Sequence, residues 1–489
     1  MAVRTNTVSL QYAKEDTLGV LPGSPDWKTM EPNEISTYGA TITTVARNPI
    51  SPTRQNRKGA ITDLDSAVEI PADLTIDAFN DFAEGFMFST YSSVPRFDPS
   101  AVTASAYTVA SGGALTQNTL VFARDFAVEG NNGLKVVDSG STSTSIPIVG
   151  GLTVEASPPA ASEVEVCGVR GASGDIEINS DGNIISTTLD FTTLGLTVGQ
   201  GLFVGGAATA NQFAVTGNSG LVRIVAVAAN LITIDKTQQA FSVDDGSGKE
   251  IDLYFGPFLR NVDTDAANFN EQSYQFEVTY DGLDAPNSTE YEYAIGNLAN
   301  TLAINMPLTD KATATFGFIG TDTEVPTPTR KTNAANAADP NKTAAMNTTN
   351  DFLRLRLQQV DETGLASCFK NLTLNISNNV SPEKCVGQLG AISMNFGNFD
   401  VSGEMQVQFT DSRVAAAVRN NTTLTMDFAI QNSDGAFYFD IPSITLGDGT
   451  KEFPVNETVL INITGNAFVD ATLGYTMGIT YFPYLPPKA

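Results

Sequence analysis

The sequence predicts a mainly β protein: a duplicated β-sandwich or barrel domain, each copy with a flanking helix, plus an inserted small all-β region of Ig-like or barrel type. Three observations carry this. Most apolar runs alternate with period two, as side chains do along a strand that buries one face. Only two stretches have helical periodicity, and a residue pattern near the start returns in the last third.

Residues 9–32 form an opening segment with prolines, turn glycines and the only tryptophan, Trp27. Two strand-like runs follow, TYGATITTVAR and AITDLDSAVEI, joined by the loop NPISPTRQNRKG. In the second run Leu64, Val68 and Ile70 share one face and Asp63, Asp65 and Glu69 the other, which gives one buried and one acidic face. The stretch Leu74 to Phe88 is the strongest helix: Ala78, Phe79, Phe82, Ala83 and Phe86 form an apolar stripe opposite Asn80, Asp81 and Glu84. Thr75 suits the N-cap, and Asp77 suits the positive end of the helix dipole. Three phenylalanines on one face require a sheet to pack against.

From about 92 to 260 the chain becomes rich in Gly, Ser, Ala, Thr and Val with many turns, as expected of one or two small all-β units. The helix precedes this region and the strand SYQFEVTYDG follows it, so it reads as an insertion into the first domain, placed on the outside. YQFEVTY, EYAIGNLANTLAIN and ATATFGFIG are strands, and residues 321–350 read as an exposed linker. FKNLTLNIS, LGAISMNFG, GEMQVQFT, the short helix SRVAAAVRN, then TLTMDFAI, AFYFDIPSITL and VLINITGNAF repeat the opening order of long hairpin, helix and three strands. NPISPTRQNRKGAIT and NNVSPEKCVGQLGAIS share Ser-Pro and Gly-Ala-Ile at nearly matching offsets. The division expected is 1–91 with 261–320 as one domain, 92–260 as the insertion, 321–350 as linker and 351–489 as the second domain.

At 489 residues, 42% hydrophobic and 17% charged, the chain can build several cores, and no apolar run reaches the roughly 20 residues that span a bilayer. The N-terminus lacks the apolar core of a signal peptide, which points to a protein kept in a cytoplasm. The three cysteines, Cys167, Cys368 and Cys385, have no metal-ligand spacing and read as reduced structural thiols. A net charge of −27 argues against holding nucleic acid by counterion release. The absence of histidine removes Ser-His-Asp and Cys-His nucleophiles and the commonest metal ligand. Paired carboxylates, as in a glycosidase, would need a cleft with two facing acids. SVDDGSGKEID lacks the spacing of a calcium loop and reads as a hairpin turn, and Gly248-Lys249 lacks the upstream glycine of a phosphate loop. The Asn-x-Ser/Thr triplets are what an Asn/Thr-rich chain contains without secretion. Arg47, Arg54, Arg57 and Lys58 are the one concentration of positive charge, read either as a solvated loop or as a contact with an acidic neighbour.

SLQYAKEDTLGVLPGSPDW, NRKGAITDLDSAVEIPADLTIDAFNDFAEGFM and ISMNFGNFDVSGEMQVQFTD resemble the tail tube proteins of long-tailed, siphovirus-like bacteriophages. The resemblance covers most of 9–90 and 270–470 and leaves out 92–260. It implies a structural virion protein without catalytic residues, metal or cofactor, assembled in the host cytoplasm into stacked rings that conduct DNA at ejection. Family rings are commonly sixfold, so a chain with two tube domains would close a ring as a trimer with pseudo-sixfold symmetry. Implied partners are further copies of the chain, the tape measure and the tail terminator or tip proteins, with DNA passing unbound and no membrane. A bore that lets DNA slide should be acidic. Asp63, Asp65 and Glu69, with Glu404, Gln406 and Gln408 in the matching strand, are the lumen candidates, while Val68, Ile70, Met405, Val407 and Phe409 would face the core. The loops 48–59 and 378–388, with Arg47, Arg54, Arg57, Lys58 and Lys384, are the candidates for contact between subunits. The rival classes are a bacterial surface or adhesin-type β-protein and a secretion-system tube protein.

Overall fold

The computed structural model describes residues 3–50, 52, 55–285, 288–338, 343–357, 369–409 and 412–487. Arg54, Cys368 and the middle of the 321–350 segment lie outside these.

One antiparallel pairing order occurs twice. Val8–Lys14 pairs with Ser273–Asp281, which pairs with Thr289–Pro307, then Thr313–Gly320, then Arg57–Asp73, then Thr37–Arg47. Downstream the order is Phe352–Leu357, Thr423–Asn432, Gly435–Glu452, Leu460–Ala467, Asp400–Gln408 and Phe369–Ser377. In each set one helix follows the strand that is next to last in this order: α1 (Ile76–Met87) and α2 (Ser412–Asn420). The two sets fuse through Thr289–Pro307, whose second part also pairs with Phe369–Ser377 from Thr301↔Ser377 to Pro307↔Asn371. The result is one 16-stranded sheet.

Helix α1 shows why the halves share a core. Thr75 holds the extended N-cap conformation but its side chain makes no cap bond, and Phe88 ends the helix in the left-handed region with φ 47°. Phe79, Phe82 and Phe86 are fully buried. Phe82 lies 5.1 Å from Phe316 and 5.3 Å from Tyr274, both near it in the first set, while Phe79 lies 4.8 Å from Phe437 of the second set. Each such burial contributes about 1.5–3 kcal/mol. Residues of both halves join in one continuous core cluster.

Two further expectations are corrected. The Gly-Ala-Ile match does not mark equivalent positions: Gly59 to Ile61 lie in the strand Arg57–Asp73, whereas Gly390 to Ile392 lie outside any strand. The partner of Phe369–Ser377 is Asp400–Gln408, and Ser393–Asn395 pairs only with the short strand Ser381–Glu383. The spacing misled because a longer loop with its own two-stranded ribbon was inserted between the paired strands. The segment read as an exposed linker is largely exposed or half-exposed where it is described, and it is anchored at a few points. Ala334 is buried beside Trp27 and Tyr293, Trp27 donates its indole N–H to Thr332 O at 3.1 Å, and Arg330 pairs with fully buried Glu277 at 2.6 Å. Two strands, Phe352–Leu357 and Gly478–Phe482, were not foreseen.

Residues 96–254 form a second sheet of ten strands and a separate one of three, over an apolar core from Phe97 to Phe255. Although the sequence places this region inside the first half, it docks on the second. Leu120, Cys167, Leu221 and Tyr254 pack against Ala429, Ala436, Tyr438 and Phe482. Arg223 holds Asp440 through two bonds of 2.7 and 2.6 Å, both groups being buried.

Candidate assembly surface

Eight of the strands run side by side as one surface: Thr37–Arg47, Arg57–Asp73, Thr313–Gly320, the second part of Thr289–Pro307, Phe369–Ser377, Asp400–Gln408, Leu460–Ala467 and the end of Gly435–Glu452. Side chains alternate across it. Leu64, Val68, Ile70, Met405 and Val407 are buried and Phe409 is partly buried against the core, while Asp65, Glu69 and Glu404 are exposed and Asp63, Gln406 and Gln408 half-exposed. The six lumen candidates therefore share one face of a single sheet. A row of facing residues runs Asp73, Thr313, Asn305, Thr373, Glu404 and Thr464 across both halves. Thr373 donates to Asn305 at 3.0 Å, and Gln406 donates to Asn462 at 3.0 Å.

Lys384 behaves differently from the other basic candidates. Its ammonium lies 2.6 Å from Asp63 and 2.5 Å from Asp65 of the same chain, so the second half's loop closes over the acidic face of the first half. This ammonium holds the Asp63 carboxyl below the usual range. Arg47 and Arg57 stand directly opposite each other at the exposed end of their hairpin, and with Lys58 they make no ion pair among the described residues. Like charges facing across a ladder repel.

The same hairpin end exposes Ile42, Val45, Ile50 and Ile61, and the far end of the sheet exposes Phe453, Val455, Phe468 and Val469. Sequence reading missed this second group, because alternation marks which side chains leave the core and not which of them stay uncovered. Cys167 is buried as expected, and burial pushes its thiol up, but Cys385 is exposed and so not a packed structural thiol. The SVDDGSGKEID segment is no simple hairpin: Asp244 bridges to Ile178, and its carboxylate accepts from the amides of Val215 and Gly246. No helix of the described residues is long and apolar enough to cross a membrane.

A polar, laddered sheet face carried by two related halves marks the chain as a mainly β protein built on a duplicated unit. The particular family follows from comparison: the chain belongs to the phage tail tube protein family, whose model matches residues 5–235 and 239–477. Those matches run through most of 92–260, which the motifs had left uncovered. Among curated proteins nothing matches significantly. The protein is thus a structural component of a phage tail.

Proposed function

We propose that this chain is the wall-forming subunit of the tail tube, self-assembling into stacked rings through which DNA leaves the virion. The carrying observation is the continuous eight-stranded face that places Asp63, Asp65, Glu69, Glu404, Gln406 and Gln408 on one side and the shared core on the other. Each half supplies four of these strands, so one chain stands for two positions of a sixfold ring, and three chains contribute twenty-four strands. At 4.7–4.9 Å per strand and a tilt of 35–45°, such a barrel has a backbone diameter of about 48 Å. Barrels with 16 or more strands leave an open channel. With the laddered face inward, the lumen is polar and acidic, and a duplex passing through finds no row of lysines to hold it.

The domain division is proposed as 1–91 with 261–320, the insertion 92–260, the linker 321–350 and 351–489. In the ring the insertion decorates the outside at three positions. Tape measure and terminator or tip proteins are the partners, with assembly in the host cytoplasm before virion completion. The chain acts as structure and catalyses nothing. Negative-stain images of the purified protein test the reading: rings or tubes are expected, and monodisperse monomers at high concentration would overturn it.

A further inference from the structure

Three side chains from separate parts of the first half meet at one end of its sheet. Asp73 closes the strand Arg57–Asp73, Lys311 stands in the turn between Thr289–Pro307 and Thr313–Gly320, and Asn33 lies in the segment that leads into Thr37–Arg47. The ammonium of Lys311 is 2.6 Å from Oδ1 of Asp73 and donates to Oδ1 of Asn33 at 3.4 Å. The side-chain nitrogen of Asn33 in turn donates to the same Asp73 Oδ1 at 2.6 Å. Amine, amide and carboxylate thus contact one another in all three combinations.

Backbone bonds hold the three in place. Asn33 N–H donates to Pro71 O at 2.8 Å, Leu74 N–H to Ala312 O at 2.9 Å and Ala312 N–H to Met346 O at 2.7 Å, and Leu74, Ala312 and Met346 are fully buried. Lys331 supplies the comparison. It pairs with Glu324 at 2.9 Å and donates to the amide oxygen of Gln275 at 3.0 Å, but the Gln275 nitrogen donates to Gly19 O, so no carboxylate bridges that amide to its amine. A surface ion pair by itself contributes little to stability. The carboxylate oxygen shared between amine and amide is what sets Lys311 apart.

We propose that Lys311 and Asn33 join in an intramolecular isopeptide bond, with Asp73 carrying the protons. Lys311 Nζ attacks Asn33 Cγ; the Nζ–Cγ bond forms and the Cγ–Nδ2 bond breaks. Of the three protons on the ammonium one stays on the new amide, and Asp73 passes the other two to Nδ2, which leaves as ammonium. The carboxylate ends as it began, and nothing is oxidised or reduced. Reactants held in contact and a proton carrier within bonding reach of both nitrogens are the two aids such a transfer needs. With the side chains of Lys311 and Asp73 46% and 29% exposed, the leaving group has open water to enter. A lysine amine is rarely unprotonated near neutrality, so the bond forms slowly, and once per chain is enough. It closes a loop from Asn33 to Lys311 that contains both attachments of the 92–260 region, so a pull on the insertion cannot draw apart the segments that carry the two residues. It does not depend on ring formation.

The intact mass of the denatured full chain after prolonged incubation tests this. The parent is expected to be lighter than its sequence by one ammonia, and its tryptic digest to hold one branched peptide joining Asn33 to Lys311. Lys311→Arg keeps the charge beside Asp73 but not the nucleophile, so as a surface change it retains the fold, and it should keep the full mass, as should Asn33→Ala. Asp73→Ala leaves both reacting groups and should slow the loss by about 100-fold. A parent that stays at full mass overturns the proposal, and so does an ammonia loss that persists in Lys311→Arg. A loss equally fast in Asp73→Ala would overturn the part given to Asp73.

Discussion

Asp440 is where the insertion is fastened to the sheet, and it is the residue whose change should be felt most. Besides the two Arg223 bonds it accepts from Gln238 at 2.8 Å and Tyr475 at 3.0 Å. Breaking a buried pair strands the other charge, so Asp440→Asn should lower stability by about 3–5 kcal/mol. Urea unfolding measures this, and a loss below about 1 kcal/mol would show that Arg223 finds other partners. Glu165 offers a pH readout. Burial raises its carboxyl to about 7 against the pull of Arg124, 2.8 Å away, with Glu163 alongside. The folded chain thus keeps a proton that the unfolded chain releases near 4.5. The sign follows: this group's contribution is fullest below pH 4.5 and is lost as pH rises through about 7, by at most about 1.4 kcal/mol per pH unit. Glu165→Gln should flatten that decline relative to the parent. Parallel curves would place the titration elsewhere.

At the scale of elements, α1 and the basic hairpin separate folding from assembly. Phe82→Ala removes a ring that touches Tyr12, Tyr274, Phe276, Phe316 and Phe318 and should destabilise by about 3–5 kcal/mol. Phe79→Ala should cost a similar amount and also loosen the second half, because its ring neighbours are Phe437 and Phe439. Hydrogen exchange along Gly435–Glu452 reports this, and exchange that rises only in the first half would contradict the shared core. Arg47 and Arg57 make no ion pair among the described residues, so reversing both to glutamate should leave melting unchanged and impair ring stacking in a salt-dependent way. Stacking indifferent to both the reversal and salt would exclude them from any interface.

For the whole molecule, the proposal of two ring positions per chain fixes the stoichiometry: mass photometry of isolated rings should find three chains, and six would show that the halves do not act as equivalent wall units. The docked insertion adds a second expectation. A chain lacking 92–260 uncovers Tyr438, Ala429 and Phe482 and leaves Asp440 without Arg223, so it should be poorly soluble, whereas a loosely attached decoration would come away cleanly.

The sequence by itself determined most of the strands of the large sheet, which face of those strands is apolar, and that a unit is repeated, because alternation and helical periodicity are local and survive without knowledge of partners. Leu64, Val68 and Ile70 against Asp63, Asp65 and Glu69, and the Phe79, Phe82, Phe86 stripe, were legible in this way. The family was legible in three motifs. What only the tertiary structure decided was partnership: that Thr289–Pro307 joins the halves, that α1 serves both, that Arg330 and Ala334 anchor the linker segment, and that the insertion rests on the second half. The same holds for Lys384 over Asp63 and Asp65, three residues brought together from opposite ends of the chain. Backbone pairing and long-range contacts depend on which edges meet, and an antiparallel edge has no residue code that names its partner.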